Sequence, residues 1–314
     1  MKEEFIRALK NNDLNVMKTI PKSDLHNHSA RGGNIKYIED WIGKSIARPS
    51  DKFKNLHEMQ LWNNKNINPL FRGLLGYEKR IEAAFAQAQN DGIKVLNMSI
   101  DADVIFHYGY QVEKLIDQLE RLHHSFAPNV IFIPEIGFKT STHIDIMCLL
   151  LELALSKKYF KSIDVYGNEP TIPTLKKVYR RAKEKGLILK AHVGEFGTAD
   201  LVKKAVEELE LDQVQHGIAA ASSKSVMKWL NDNKIQLNVC PTSNVLLSRV
   251  EKYNVHPIRK LYDNGVKVTI NTDDMLIFNK SVSEEFLNLY DAGVFNAVEL
   301  NEIRLNGLAD YLHV

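Results

Sequence analysis

Four short clusters of this chain carry side chains able to bind a metal ion or move protons. The first is His26-Asn27-His28. Residues two apart on an extended strand point to the same side, so both imidazoles face one space, as two ligands of one ion must. The second, Lys190-Ala-His-Val-Gly-Glu195, adds a third imidazole, His192, and a carboxylate, Glu195, beyond a glycine-containing turn. The third, Gln215-His216-Gly217, adds one more histidine, and the fourth, Asn271-Thr-Asp273-Asp274, ends in two adjacent carboxylates. Such a pair is costly to hold together unless a cation or a shared proton relieves it. Each cluster taken singly has a plain explanation: hydrogen-bonded histidines, an acid at a helix N-terminus, or an N-cap and turn. Taken together, three imidazoles and one carboxylate suit zinc with one position left for water. Water acidified toward neutrality by such an ion is a nucleophile, and Glu195 and His216 are left over to handle protons.

That combination requires elements that bring the four clusters to one place. Short β-branched or apolar runs recur at Val95–Ile100, Val130–Glu135, Ser162–Tyr166, Leu187–Ala191, Gln213–His216, Ile235–Val239 and Val266–Ile270. Between them, Leu175–Lys185, Ala199–Leu209 and Ser222–Asn231 carry an apolar stripe opposite Lys and Glu at helical spacing. Gly186, Asn233 and Gly265 stand where helices should stop. With Ser23–His28 in front the strands number eight, which predicts an α/β fold of the (β/α)8, TIM-barrel type. All four clusters then fall at C-terminal strand ends around one mouth, where active sites of this fold sit. The connection 30–93 shows no convincing strand, only helical patches at Ile35–Ile42 and Lys79–Gln89 and a polar stretch, Trp62–Asn68. A connection that long predicts a helical lid inserted after strand 1. No repeat or linker divides the chain, so 1–314 is expected to be a single barrel domain.

Composition narrows the partners. The 314 residues carry 41 Lys+Arg against 39 Asp+Glu, a net charge of +2 without a basic tail, so no nucleic acid is expected. The most apolar stretch, Ile144–Leu155, is interrupted by Asp145 and Glu152 and too short for a bilayer of about 30 Å, so no membrane is expected either. Only Cys148 and Cys240 occur, which argues against a disulfide framework or a cysteine-based zinc site. The N-terminus is too acidic for a secretory signal, and a cytoplasmic location is expected.

Pro21-Lys-Ser-Asp-Leu-His-Asn-His28, Ala191-His-Val-Gly-Glu195, Val214-Gln-His-Gly217, Cys240-Pro-Thr-Ser-Asn244 and Asn271-Thr-Asp-Asp274 resemble, in order, the signature set of the adenosine deaminase family of metal-dependent amidohydrolases. The resemblance implies that His26, His28, His192 and Asp273 hold one zinc ion. It implies that Glu195 protonates the purine ring nitrogen beside the carbon under attack, and that His216 and Asp273 orient the attacking water and take its proton. It implies that Asp274 bonds the five-membered ring and that the backbone N–H of Gly167 meets the other ring edge. A small-molecule 6-aminopurine would then be hydrolysed to the 6-oxo purine and ammonia. The H-x-E…P-C-x-x-C signature of the unrelated zinc deaminases is absent.

Two departures bear on substrate. Where the family carries an aspartate that holds the ribose 5′-hydroxyl, this chain has Ala30, followed by Arg31, Gly32 and Gly33. A missing polar partner shifts preference between substrates. The expected substrate is therefore a 6-aminopurine compound differing from adenosine at its sugar end, with 5′-modified adenosines, adenine and N6-substituted purines as candidates. Arg31 is expected either at an exposed surface or against an anionic 5′ substituent. The chain also ends at Val314, soon after Asp273, which is expected to loosen the last βα unit. A barrel hydrolase of cyclic amides or esters, a non-catalytic purine binder and an interaction scaffold are the rival readings, and none uses Glu195 as well.

Overall fold

The computed structural model describes residues 1–49, 52–309 and 311. Eight strands, β1 Lys22–His28, β2 Ile93–Asp101, β3 Ile131–Lys139, β4 Ser162–Tyr166, β5 Ile188–Val193, β6 Gln213–His216, β7 Gln236–Val239 and β8 Lys267–Ile270, follow one another in sheet order. Each pairs in parallel with the next. Closure of β8 onto β1 is made by a parallel bridge between Asn27 and Asp273. The Asp273 amide donates to the His26 carbonyl at 2.9 Å, and the Leu25 amide to Asn271 Oδ1 at 2.7 Å. The result is the (β/α)8 barrel expected from the strand count. β4 and β6 have the expected bounds, whereas β3 runs on past Glu135 because Ile136 and Phe138 are buried as well.

The helices cover the barrel because each buries one stripe. Two precede β1: α1 Lys2–Lys10, which buries Phe5, Ala8 and Leu9, and α2 Leu14–Met17. Three lie between β1 and β2: α3 Ile35–Ile42, α4 Leu56–Asn66 and α5 Gly73–Asn90. The outer ring continues with α6 Val112–Phe126, α7 Ile144–Leu155, α8 Lys176–Glu184, α9 Ala199–Leu209 and α10 Lys224–Asp232. Next come α11 Pro241–Leu246, α12 Ile258–Asp263, α13 Met275–Phe278, α14 Val282–Asp291 and α15 Ala297–Asn306. Among the described residues no helix is long and apolar enough to cross a membrane.

The segment α3–α5 is the lid. Most of the stretch expected to be an irregular polar connection, Trp62–Asn68, is the second half of α4. Asn55 starts that helix by accepting the Glu58 amide, a cap that outweighs its weak apolar patterning. Two satellite apolar clusters fix the lid to the barrel mouth: Ile35, Ile38, Phe71 and Ala83 pack with Leu276, and Phe53 and Met59 pack with Leu247, Ile277 and Phe278. The last βα unit is not loosened. α14 and α15 each begin with a capping box, Leu300 and Ile303 are buried, and Arg304 donates to the Pro21 carbonyl at 2.7 Å. Val314 lies outside the described residues.

Candidate active site

The strand ends bring the expected residues together. His26 and His28 end β1, His192 lies in β5, His216 ends β6, and Asp273 and Asp274 follow β8. All six are buried, with His192 the most accessible at 8%. His216 and Asp273 hold φ angles of +63° and +60°, a left-handed conformation uncommon outside glycine, though Asp and His adopt it more readily than most, and often found where function demands an unusual backbone. Gly167, after β4, has φ +121°, and a Cβ there would stand 2.5 Å from Thr140 Oγ1, so only glycine fits.

Hydrogen bonding at the far side of each ring decides what the near side offers. His26 Nδ1 lies 3.2 Å from the Asn238 carbonyl, and His192 Nδ1 lies 3.1 Å from Asp164 Oδ1. Both partners only accept, so both Nδ1 atoms donate and both Nε2 atoms present lone pairs. Those Nε2 atoms face each other at 2.9 Å. Two lone pairs at that distance repel unless a cation or a proton lies between them. Asp273 Oδ1 is 3.7 Å from His26 Nε2 and 3.3 Å from His28 Nε2. Asp273 therefore stands between the facing His26–His192 pair and His28, and imidazoles with a carboxylate are the donor types of a divalent cation with nitrogen preference. The outer-nitrogen contacts are the orienting bonds that metal-ligating histidines make.

His216 is oriented the other way. The Ile258 amide donates to His256 Nδ1 at 3.1 Å, so His256 Nε2 carries the proton and donates to Asn244 Oδ1 at 3.3 Å. Asn244 Nδ2 then donates to His216 Nδ1 at 3.2 Å. Neutral His216 consequently keeps its proton on Nε2, which points at Glu195 Oε2 (3.5 Å) and Asp273 Oδ2 (3.9 Å). By distance alone His26, His192, His216 and Asp273 form the tighter group, with His28 joining Asp273 and Asp274 in a second one. The relay gives His216 a proton where a ligand needs a lone pair, and His28, the ligand expected from the sequence, lies against the carboxylates of Asp273 and Asp274 in the second group.

The protonation states follow from burial and neighbours. Burial pushes His216 down to about 3, and burial with the adjacent imidazoles of His216 and His192 holds His26 well below the usual histidine range. For His28, burial is outweighed by Asp273 and Asp274, which raise it to about 9. Against its burial, the histidines hold Asp273 well below the usual carboxylate range. Glu195 goes the opposite way: burial, then the charges of Asp273, Glu169 and Asp274, raise its carboxyl well above that range. Its buried Oε1 has no hydrogen-bond partner among the described residues. The site therefore pushes the acidities of two neighbouring carboxyls in opposite directions, the separation that acid–base chemistry needs.

Arg31 is not at an exposed surface. Its Nε lies 2.6 Å from Asp274 Oδ2, leaving Asp274 Oδ1 buried and unpartnered. Burial raises the Asp274 carboxyl against the pull of Arg31, and Asp273 adds to the rise.

Several residues carry the site without a signal of their own in the sequence. Asp164 orients His192. Ser243 Oγ donates to Asp273 Oδ2 at 2.7 Å. Glu169 accepts four backbone N–H groups of the turn that carries Glu195: those of Glu195 and Phe196 on Oε1 at 3.0 and 2.7 Å, and those of Gly194 and Gly197 on Oε2 at 2.6 and 3.0 Å. Asp101, ending β2, accepts from Tyr166, whose ring lies 5.6 Å from both His28 and His192. Ser243 and Asn244 lie in the Cys240–Asn244 motif, and Glu169 stands two positions after Gly167. Those were the available hints.

A converging His and Asp cluster at the C-terminal mouth of a (β/α)8 barrel defines an amidohydrolase-type site. The comparisons narrow this: the profile of the adenosine deaminase family matches residues 143–311, and the chain belongs to that family. It is 32% identical to a Treponema pallidum protein described as an adenosine/adenine deaminase, over 90% of this chain and 95% of the relative. Among solved structures it is similar to adenine deaminase from Arthrobacter aurescens, with a TM-score of 0.79 and 22% identity over 93% of this chain and 94% of that one. A zinc-bound amidohydrolase from B. ambifaria superimposes with a TM-score of 0.75 and 20% identity over 93% of this chain and 86% of that one. At these identities the two structures speak for the fold alone.

Proposed function

We propose that this protein is a zinc-dependent hydrolase that deaminates a 6-aminopurine, releasing ammonia and the 6-oxo purine. The observation that carries the reading is a carboxyl, Glu195, set 3.5 Å from His216 Nε2 with its buried Oε1 unpartnered among the described residues, beside a donor cluster whose two inner imidazole nitrogens face each other as lone pairs. Membership in the adenosine deaminase family supports it, as does the description of the Treponema pallidum relative as an adenosine/adenine deaminase. His26, His28, His192 and Asp273 would hold the ion, which supplies a nucleophile at neutral pH by acidifying water.

The remaining work falls to the chain itself. Glu195 gives its proton to the ring nitrogen next to the carbon bearing the amino group, which makes the ring a better electron sink. His216, with its proton on Nε2, donates to the attacking oxygen and fixes its direction. Asp273 is the ionised carboxylate able to receive the proton that the water loses. Asp274 turns its unpartnered Oδ1 to a nitrogen of the five-membered ring, while Arg31 holds Oδ2. The Gly167 backbone N–H meets the other ring edge. The lid would close the site from bulk water. The whole chain 1–314 acts as one catalytic domain in this reading, in the cytoplasm and without a nucleic-acid or membrane partner.

The test is ammonia release from adenosine, adenine and their 5′- and N6-substituted relatives, before and after the metal is removed with a chelator. Release by at least one aminopurine, lost with the metal and restored by zinc, is expected. No release from any of them by metal-loaded protein would overturn the reading.

A further inference from the structure

Beside the histidine cluster, on the β1 and β2 side of the mouth, the lid covers a second cavity of about 280 Å3. It is smaller than the ~300 Å3 at which pockets begin to enclose a whole ligand, and is of a size for one substituent. Ala30 and Arg31 line it from the barrel, and Asn63, Tyr77 and Arg80 line it from the lid. It communicates with the reaction centre through shared residues. Arg31 reaches from its wall to Asp274, and Asp101 on the opposite wall binds Tyr166, which packs on His28 and His192.

The charges in this cavity are unevenly paired, because both lining carboxylates, Asp101 and Asp103, are taken by Lys139. Lys139 is paired with Asp103 at 2.9 Å and Asp101 at 3.7 Å, and Arg31 is ion-paired with Asp274. Arg80 has no carboxylate and no hydrogen-bond acceptor among the described residues. Its buried Nε is unpartnered, and its guanidinium is held only by the ring faces of Phe71 at 5.0 Å and Tyr77 at 6.0 Å. Burying a cation without an anion is costly, and stacking on two rings returns only part of that cost. The stacking also fixes the plane of the fork, so its N–H groups are already arranged for an oxyanion. Ala30 contributes by what it lacks: a methyl group in this wall puts no negative charge opposite an incoming anion.

We propose that this cavity is an oxyanion subsite for a phosphate at the sugar end of the substrate, with Arg80 as its principal cation and Arg31 and Asn63 beside it. The substrate class is then a 6-aminopurine nucleoside 5′-monophosphate, with the base at the histidine cluster and the phosphate under the lid. The proposal rests on the deaminase reading and specifies its substrate.

The experiment compares kcat/KM for ammonia release from adenosine 5′-monophosphate, adenosine, adenine and adenosine 5′-carboxylate, using wild-type protein, Arg80→Met, which keeps the stacked stem, and Arg80→Ala. The 5′-phosphate is expected to exceed adenosine and adenine by at least 100-fold. The ratio of 5′-phosphate to adenosine is expected to fall at least 100-fold in both variants, a quantity that partial misfolding leaves alone. A wild-type preference for adenosine, adenine or the carboxylate would overturn the proposal, as would a ratio that Arg80→Met leaves within threefold. If no compound releases ammonia the deaminase reading fails, and the subsite is then judged by calorimetry. Tighter binding of adenosine 5′-monophosphate than adenosine, lost in Arg80→Met, supports it, and equal binding refutes it.

Discussion

Replacing Glu169 by Gln should disable the enzyme without touching the reacting groups. Its carboxylate accepts all four amide protons of the turn from Gly194 to Gly197, two on each oxygen. A glutamine keeps one acceptor and sets an NH2 group against the other two N–H donors. Two buried donors then lose their partner, at about 1–3 kcal/mol each, or about 2–6 kcal/mol in all. The turn can escape only by moving, and it carries Glu195. At 1.36 kcal/mol per tenfold, even ~2 kcal/mol expressed in the placement of Glu195 lowers kcat by roughly thirtyfold. A second effect has a fixed sign: the Glu169 charge is one of the groups raising the Glu195 carboxyl. Removing it lowers that pKa, so the alkaline limb of kcat/KM, where the acid is lost, moves to lower pH. The assay is kcat and KM across pH by ammonia release, with metal content and melting temperature measured on the same preparation. A kcat within threefold of wild type with an unmoved alkaline limb, whatever happens to melting, would refute a positioning role for Glu169.

Other outcomes follow from the same geometry. Glu195→Gln should retain bound metal and lose turnover by at least 10³-fold, read by metal analysis and ammonia release; loss of the metal would contradict its place as proton donor. Asn244→Asp turns the donor facing His216 Nδ1 into an acceptor, moving the imidazole proton away from Nε2; a wrong tautomer in a comparable relay costs up to about 10⁴ in kcat, and a fall of at least 100-fold with unchanged metal content is expected. Glu285 is buried with its carboxyl raised to about 8, so the native state holds its proton more tightly than the unfolded chain does. Its stabilising contribution is complete below about pH 4.5 and is lost as pH rises through about 8, a span of roughly 4–5 kcal/mol in the ideal limit. Glu285→Gln keeps an acceptor for the Thr242 amide and should flatten that fall, measured as urea midpoints between pH 5 and 9; an equally steep fall would contradict the assignment.

The barrel was legible because most strands are short apolar or β-branched runs followed by turn residues, and parallel strands buried on both faces need little more, whereas β1, Lys22–His28, shows itself by its alternating histidines. The metal-site candidates were legible for a related reason: His26 and His28 sit two apart on one strand, and His192, His216 and Asp273 end strands that the barrel closes around one axis. What supports them was not. Asp164 meets His192 across the β4–β5 pair, and Glu169 reaches the turn after β5. Both contacts depend on register, which no single segment encodes. The His256–Asn244–His216 relay joins three segments by rotamer as well as register. The lid resisted for another reason. Arg80 reads as an ordinary surface charge on α5, and only packing places Phe71 and Tyr77 against it. Arg31 was similarly ambiguous until Asp274 was found beside it.

The central claim is that water, activated among His26, His28, His192 and Asp273 and aided by the Glu195 proton, replaces the amino group of a purine. Turnover of the preferred aminopurine in 18O-labelled water, followed by mass spectrometry of the product and ammonia quantification, tests this most directly. The account predicts one labelled oxygen at the 6-position and one ammonia per product molecule, neither forming with Glu195→Gln. An unlabelled product, or label without ammonia, would contradict it.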